Sequence, residues 1–239
     1  MPRPFERWTV LPHGKLARIG DNLMTVVGEI RMPLMKLPRR MTVVRLADSN
    51  LVIWSAIALD ESAMAELESF GRPAYLIVPS DKHRLDAKIW KARYPALTVV
   101  APSGARAAVA KIVPVDMVDP HFDDPKVRFA TVRGTGDREA ALLVQSANGT
   151  TLVVNDIVGN IDDASGLGGW LLGVAGFAGR KPQVPRVVRK AVVEDPQALR
   201  AQLLEWAGIE TLQRILVSHG SPIEADARGT LRDLARSLE

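Results

Sequence analysis

The order in which short apolar runs alternate with amphipathic stretches leaves few architectures open to this chain. Met41–Leu46 and Leu51–Ser55 are apolar, β-branched runs parted by Ala47-Asp48-Ser49-Asn50, whose Asp, Ser and Asn form turns, so they read as a hairpin. A strand at Leu23–Val27 precedes them. Asp60 then caps a helix that puts Ala63, Leu67 and Phe70 on one face and stops at Gly71. Ala74–Val78 is a continuous apolar run of the kind found in buried strands. A helix through Leu85, Ile89 and Trp90 ends before Pro95; Leu97–Ala101 is a further strand, and Ser103 caps an Ala-rich helix reaching Ile112.

The second half changes rhythm. Val127–Val132, Ala140–Gln145 and Thr151–Asn155 are strands, the last two joined through Asn148-Gly149. A helix near Pro196–Ala207 turns Leu199, Leu203 and Trp206 inward, a strand follows at Arg214–Val217, and a final helix uses Leu231, Leu234 and Leu238. Strands, then alternating helix and strand, then strands, then helix–strand–helix describe two halves, each a sheet covered on its outer side. The expected fold is α/β, a four-layer αββα sandwich. A doubly wound sheet is the competitor, and the meander at Val127–Asn155 argues against it.

Composition excludes more than it selects. A chain of 239 residues with 47% hydrophobic content can bury a core without a disulfide or a structural metal. With no cysteine, thiolate ligands, iron–sulfur clusters and cysteine nucleophiles are out of reach. A net charge of +4 is too mild for a nucleic-acid binder, which needs a concentrated basic stripe. The densest basic pieces, Arg39–Arg40 and Arg180, Lys181, Arg186, Arg189, Lys190, read first as solvated loop charge and second as a docking site for an anionic ligand or surface, the latter including a membrane surface met by the neighbouring apolar segment. Met1–Val10 lacks the apolar core of a signal peptide, and Gly166–Gly179 (GLGGWLLGVAGFAG) is short of the ~20 residues that span a bilayer. The expectation is one cytoplasmic domain over residues 1–239, without a transmembrane segment, carrying a Gly-rich apolar insertion at about 160–190. That insertion reads as a lid or homodimer contact, or alternatively as a buried helix.

Three sites share one grammar, an apolar strand ending in a polar, metal-competent side chain. They are Tyr75–Pro79 followed by Ser80-Asp81-Lys82-His83-Arg84-Leu85-Asp86, Thr151–Asn155 followed by Asp156, and Arg214–Ser218 followed by His219-Gly220. The C-terminal ends of strands are where α/β folds bind ligands.

In this order, LVVNDIVGN around Asp156 and RILVSHGSPI around His219 resemble the metallo-β-lactamase superfamily. RMTVVRLADSNLVIWSAIAL and VPSDKHRLDAKIWKARYP look closer still to an uncharacterised, lactamase-like branch of it. The resemblance implies the αββα fold, a strand-end Asp that bridges metals and a late His ligand. It also exposes departures. The superfamily's His-x-His-x-Asp-His signature is missing after Ala74–Val78. One register puts Asp81 and His83 on its first two His positions and Asp86 on its last; another puts Asp81 on the second His and His83-Arg84 on the Asp-His pair. The mid-chain His expected near Val132–Asp137 is absent.

With four histidines in the chain, the site implied is depleted and mononuclear. Its ligands are drawn from His83, Asp156 and His219 with Asp81 or Asp86, and it would hold one Zn, Fe or Mn ion, or none. Asp156 and His83 take the catalytic role, Lys82 and Arg84 hold a small anionic substrate, and Asn160 is either a substrate-side donor or a turn residue before Asp162-Asp163. The implied activity is hydrolysis of an ester, thioester or phosphoester. The alternative is a non-catalytic ligand- or partner-binding member in which Asp156 and His219 cap their strands and bond to one another.

Overall fold

Alternation along the strands decides the layering. The computed structural model describes residues 3–32, 35–161, 166–179 and 181–239, so the expected turn at Asp162-Asp163, Arg180 of the basic run and the start of Met1–Val10 lie outside the described residues. The first sheet runs in the order β1 (Ala17–Arg18), β2 (Leu23–Met32), β3 (Met35–Arg45), β4 (Asn50–Trp54), β5 (Arg72–Ile77), β6 (Thr98–Val100). The second is β10 (Leu212–Gly220), β9 (Gly149–Asn160), β8 (Ala140–Ser146), β7 (Val127–Thr131). Pairing is parallel at β4–β5, β5–β6 and β9–β10 and antiparallel elsewhere.

Successive side chains of a strand point to opposite faces, and here they enter different cores. Val44, Val52, Trp54, Ile77 and Val100 of the first sheet meet Leu142, Val144, Val153 and Leu216 of the second between the sheets. Their neighbours Val43, Ile53, Leu76 and Val99 face outward with Met64, Leu67 and Trp90, which come from α1 (Glu61–Phe70) and α2 (Ala87–Arg93). Leu152, Val154, Ile215 and Val217 face outward on the other side, under α6 (Pro196–Ala207) and α7 (Ala227–Arg236). Three cores between four layers make the αββα sandwich that the sequence pattern predicts.

The remaining helices are α3 (Arg106–Ala110), α4 (Gly166–Ala175) and α5 (Arg186–Ala191). Asp60 caps α1 by accepting from the Ala63 N–H, as expected. Ser103 does not cap α3; it opens a 3₁₀ turn, Ser103–Ala105, that leads into the helix. Arg39 and Arg40 correct the reading of solvated loop charge. Both lie in β3 and are 5% and 6% exposed. Arg40 donates to the Val217 and Gly220 carbonyls, clasping β10 to the first sheet, and Arg39 pairs with Asp86. No helix among the described residues is long and apolar enough to cross a membrane.

Candidate metal centre

Asp156 and His219 reach the centre through a break in sheet register. β9 and β10 pair residue for residue from Thr151↔Arg214 to Val154↔Val217, and pairing resumes at Gly159↔His219. Four residues of β9, Asn155–Val158, therefore stand opposite Ser218 alone. A bulge of this kind re-aims side chains; Asp156 is placed in it and His219 just beyond. Ser218 fills the gap by donating from Oγ to Asn155 Oδ1 at 2.8 Å. Gly220 follows with φ of 111°, and a Cβ there would sit 1.8 Å from the Asn160 carbonyl oxygen. The tight return of β10 onto β9 thus demands glycine.

His83 comes from the other sheet, in the turn after β5. Its Nε2 lies 3.2 Å from Asp156 Oδ1, and His219 Nε2 lies 3.1 Å from the same oxygen. Each ring is turned by an oxygen on its far side: His219 Nδ1 donates to the Pro38 carbonyl at 2.6 Å, and His83 Nδ1 is 2.8 Å from Ser55 Oγ. Ser55 holds φ of 53° just past β4, a left-handed conformation that costs a non-glycine residue free energy and recurs at functional sites. The two imidazoles are 5.2 Å apart, and Phe177 stands edge-on to His219 at 5.5 Å.

Charge in this pocket is set by burial and partners together. Burial alone would lift Asp156, but His83 and His219 outweigh it and hold the carboxylate well below its ordinary range. Burial pushes His219 down, and the Asp156 carboxylate and Pro38 carbonyl more than reverse that, so its pKa is raised. With both ring nitrogens donating, His219 is an imidazolium. His83 lies between the Asp156 carboxylate, which faces its Nε2, and the Ser55 hydroxyl, which faces its Nδ1.

His83, Asp156 and His219 offer ligand atoms within 4.8 Å of one another. The donor set fits a divalent ion: two imidazole nitrogens aimed at one carboxylate, with the opposite nitrogens oriented by a hydroxyl and a carbonyl. Zinc, iron and manganese all accept such nitrogen and oxygen ligands.

The other residues expected at the site lie elsewhere. Asp86 is 1% exposed, accepts from the Ala58 N–H and pairs with Arg39; burial raises its pKa against the pull of that guanidinium. Asp81 pairs with Lys82 at 2.8 Å, outside the cluster. Arg84 donates to the Ala108 carbonyl at 2.5 Å. Asn160 ends β9 rather than opening a turn, and donates to the Ser221 carbonyl at 2.8 Å, which braces β10.

A second polar group beside Asp156 escaped the sequence reading. Asn155 Nδ2 donates to Ser80 Oγ at 3.1 Å and to Glu139 Oε2 at 3.0 Å. Burial and then the charge of Asp156 raise the Glu139 pKa well above its ordinary value. Nothing in the spacing around Glu139 announces it; Ser80 and Asn155 do stand at the strand ends already singled out.

No family model and no curated protein sequence matches this chain. Solved structures do. It superposes on DIM-1 metallo-β-lactamase exposed to ceftazidime with a TM-score of 0.65 and 11% identity, covering 97% of this chain and 100% of that one. The metallo-β-lactamase FIM-1 from Pseudomonas aeruginosa, in its mono-zinc form, gives 0.64 and 10%, covering 95% and 96%. A metallo-β-lactamase from Erythrobacter litoralis, with β-mercaptoethanol in its active site, gives 0.62 and 13%, covering 93% and 96%. Layer order, strand pairing and these superpositions agree: the chain carries the metallo-β-lactamase fold.

Proposed function

We propose that this protein is a metal-dependent hydrolase built around one ion, held by His83, Asp156 and His219. The observation that carries the reading is the convergence of both imidazole Nε2 atoms on Asp156 Oδ1, with each ring oriented from behind. A divalent ion bound there supplies Lewis acidity and activates water for attack on an ester, thioester or phosphoester. The mono-zinc form of one structural neighbour makes zinc the first ion to test, ahead of iron and manganese.

The chain's own residues do the rest. Asp156 contributes negative charge that burial would otherwise suppress. Pro38 and Ser55 hold the two rings, and Phe177 shields His219 from solvent. Lys82 is the cation available to a small anionic substrate: its side chain is 45% exposed, and a surface pair such as Lys82–Asp81 is worth only about 0–1 kcal/mol, so a substrate can displace it.

A second reading has its own observation. Asp156 accepts directly from both imidazoles, so the cluster is also satisfied as a metal-free knot in a non-catalytic, ligand- or partner-binding protein. Elemental analysis of untagged protein beside His219→Ala separates the two. Near-stoichiometric zinc, iron or manganese that falls in the variant supports the hydrolase. Protein that stays empty after incubation with each ion overturns it and leaves the knot.

A further inference from the structure

The segment that carries Phe177 onto His219 has an outer face the metal centre does not use. Among the described residues, seven large hydrophobic side chains are exposed, and Trp170, Val174 and Val187 fall within eighteen positions of one another, at 62%, 52% and 46%. Trp170 and Val174 are one helical turn apart on α4 and share a face. Gly173 between them has open space where a Cβ would stand, so no described residue lies against that point. Gly176, just after α4, lies against the Arg186 backbone, which brings the start of α5 beside the end of α4. On α5, Val188 is buried while Arg186, Val187, Arg189 and Lys190 are exposed, and Lys181 is exposed in the connection.

Charge along this stretch has one sign. Residues 164–193 contain Arg180, Lys181, Arg186, Arg189 and Lys190 and no Asp or Glu. Glu194 and Asp195, which follow, are engaged: Glu194 pairs with Arg138 at 3.0 Å and Asp195 caps α6. An exposed tryptophan and valines set among the cations of residues 164–193 match the surface of an anionic bilayer, where an indole ring sits at the headgroup level and each Lys or Arg gains from the surface potential. A second copy of this chain is the poorer match. A two-fold contact sets the same patch against itself and so would bring two uniformly basic segments together.

We propose that the α4–α5 face, through Trp170, Val174 and Val187 and the cations Lys181, Arg186 and Lys190, docks this protein on an anionic lipid surface. This stands independently of the metal at His83, Asp156 and His219. If both hold, the centre roofed by Phe177 works at the membrane surface.

The test is co-sedimentation with phosphatidylcholine vesicles, and with the same vesicles carrying a minor fraction of phosphatidylglycerol. Binding to the second alone is expected, accompanied by a blue shift of tryptophan emission that Trp170→Phe removes; the other four tryptophans are buried or half-buried. Raising salt to about 1 M, where the Debye length is ~3 Å, releases the protein. Arg186→Gln with Lys190→Gln lowers the partition coefficient on the order of thirtyfold, about fivefold per charge. Trp170→Ala lowers it separately. All these side chains are exposed, so circular dichroism of each variant should match the parent. No sedimentation at low salt overturns the proposal, as does binding that survives both sets of changes. A lipid-indifferent dimer, seen by analytical ultracentrifugation and dispersed by Trp170→Ala, overturns it in favour of a second copy.

Discussion

The turn after β5 and the paired ends of β9 and β10 deliver side chains to the same corner of the molecule with very different economy. From Asp81 to Asp86 the turn offers five charged or titratable groups, and one of them, His83, reaches the centre. From β9 and β10 the two singled out as ligands, Asp156 and His219, both arrive. A strand in register commits every side chain to a direction, and a bulge changes that direction once. An irregular turn leaves each side chain to its own best partner: Asp86 finds Arg39 and the Ala58 N–H, Arg84 finds the Ala108 carbonyl, and Lys82 and Asp81 find each other. Directional scaffolding, more than residue chemistry, separates the residues that converge from the bystanders.

The contrast breaks most sharply at Asp86. Asp86→Ala leaves the Arg39 guanidinium buried without its partner, and removing one member of a buried pair costs about 3–5 kcal/mol. Urea unfolding should show that loss while metal stoichiometry stays at the parent value. If metal falls in step, Asp86 belongs to the centre and the distinction between turn and strand ends collapses. Ser55→Ala should do the reverse. It removes the hydroxyl behind His83 and should weaken metal binding about 10–100-fold, measured by chelator competition, with an unfolding midpoint close to the parent.

Protons sharpen the comparison next. In the metal-free state His219 carries a proton on Nε2 that an ion replaces, so uptake near neutral pH should release about one proton per ion. Calorimetry in two buffers of different ionisation enthalpy reads this directly; no buffer dependence would mean His219 is already neutral.

The same groups set the pH response of the chelated protein. His219 is raised above its ordinary 6.5, so its contribution is complete below that value and is lost as pH rises through the raised one. Asp156 is depressed from 3.8, so its contribution is present above that value and is lost as pH falls through the depressed one. Glu139, raised from 4.5, binds a proton in the native state that the unfolded chain releases, so it too favours folding less as pH climbs. Tm with chelator present should therefore decline from about pH 4.5 upward through Glu139 and further above about 6.5 through His219, and Glu139→Gln should remove the part that begins near 4.5. The smallest effect belongs to Asp81→Asn. Its partner is a surface lysine, so stability should hold within about 0.5 kcal/mol and metal binding should not change.

These cases also show where the amino-acid sequence is readable. The four layers follow from alternation, because Val43 and Val44, or Val153 and Val154, are neighbours sent into different cores. Asp156 and His219 follow from apolar strands that end in a ligand-competent residue. The rest depends on contacts between segments far apart in the chain. The Arg39–Asp86 pair joins β3 to the start of α2, and it turns two residues read as solvent charge and as a ligand into a buried bridge. The Pro38 carbonyl behind His219 is a main-chain group 181 positions away, which no side-chain motif records. Glu139 acquires its role from Asn155 across the β8–β9 pair and from burial, neither of which is local.

The surplus of β9 residues opposite Ser218 has a kinetic side. Pairing between β9 and β10 is continuous from Thr151 to Val154 and resumes at Gly159, so this part of the ladder has two hydrogen-bonded stretches that can open separately. Amide exchange should show this as a step: slow, concerted protection across Leu152–Val154 and Ile215–Val217, and a faster, separable class at Gly159–Asn160 and His219–Gly220. Asp156 sits on the seam between them. Any ligand that ties Asp156 to His219 would weld the two stretches into one opening unit, and the merging of two exchange rates into one would report its arrival from the backbone alone.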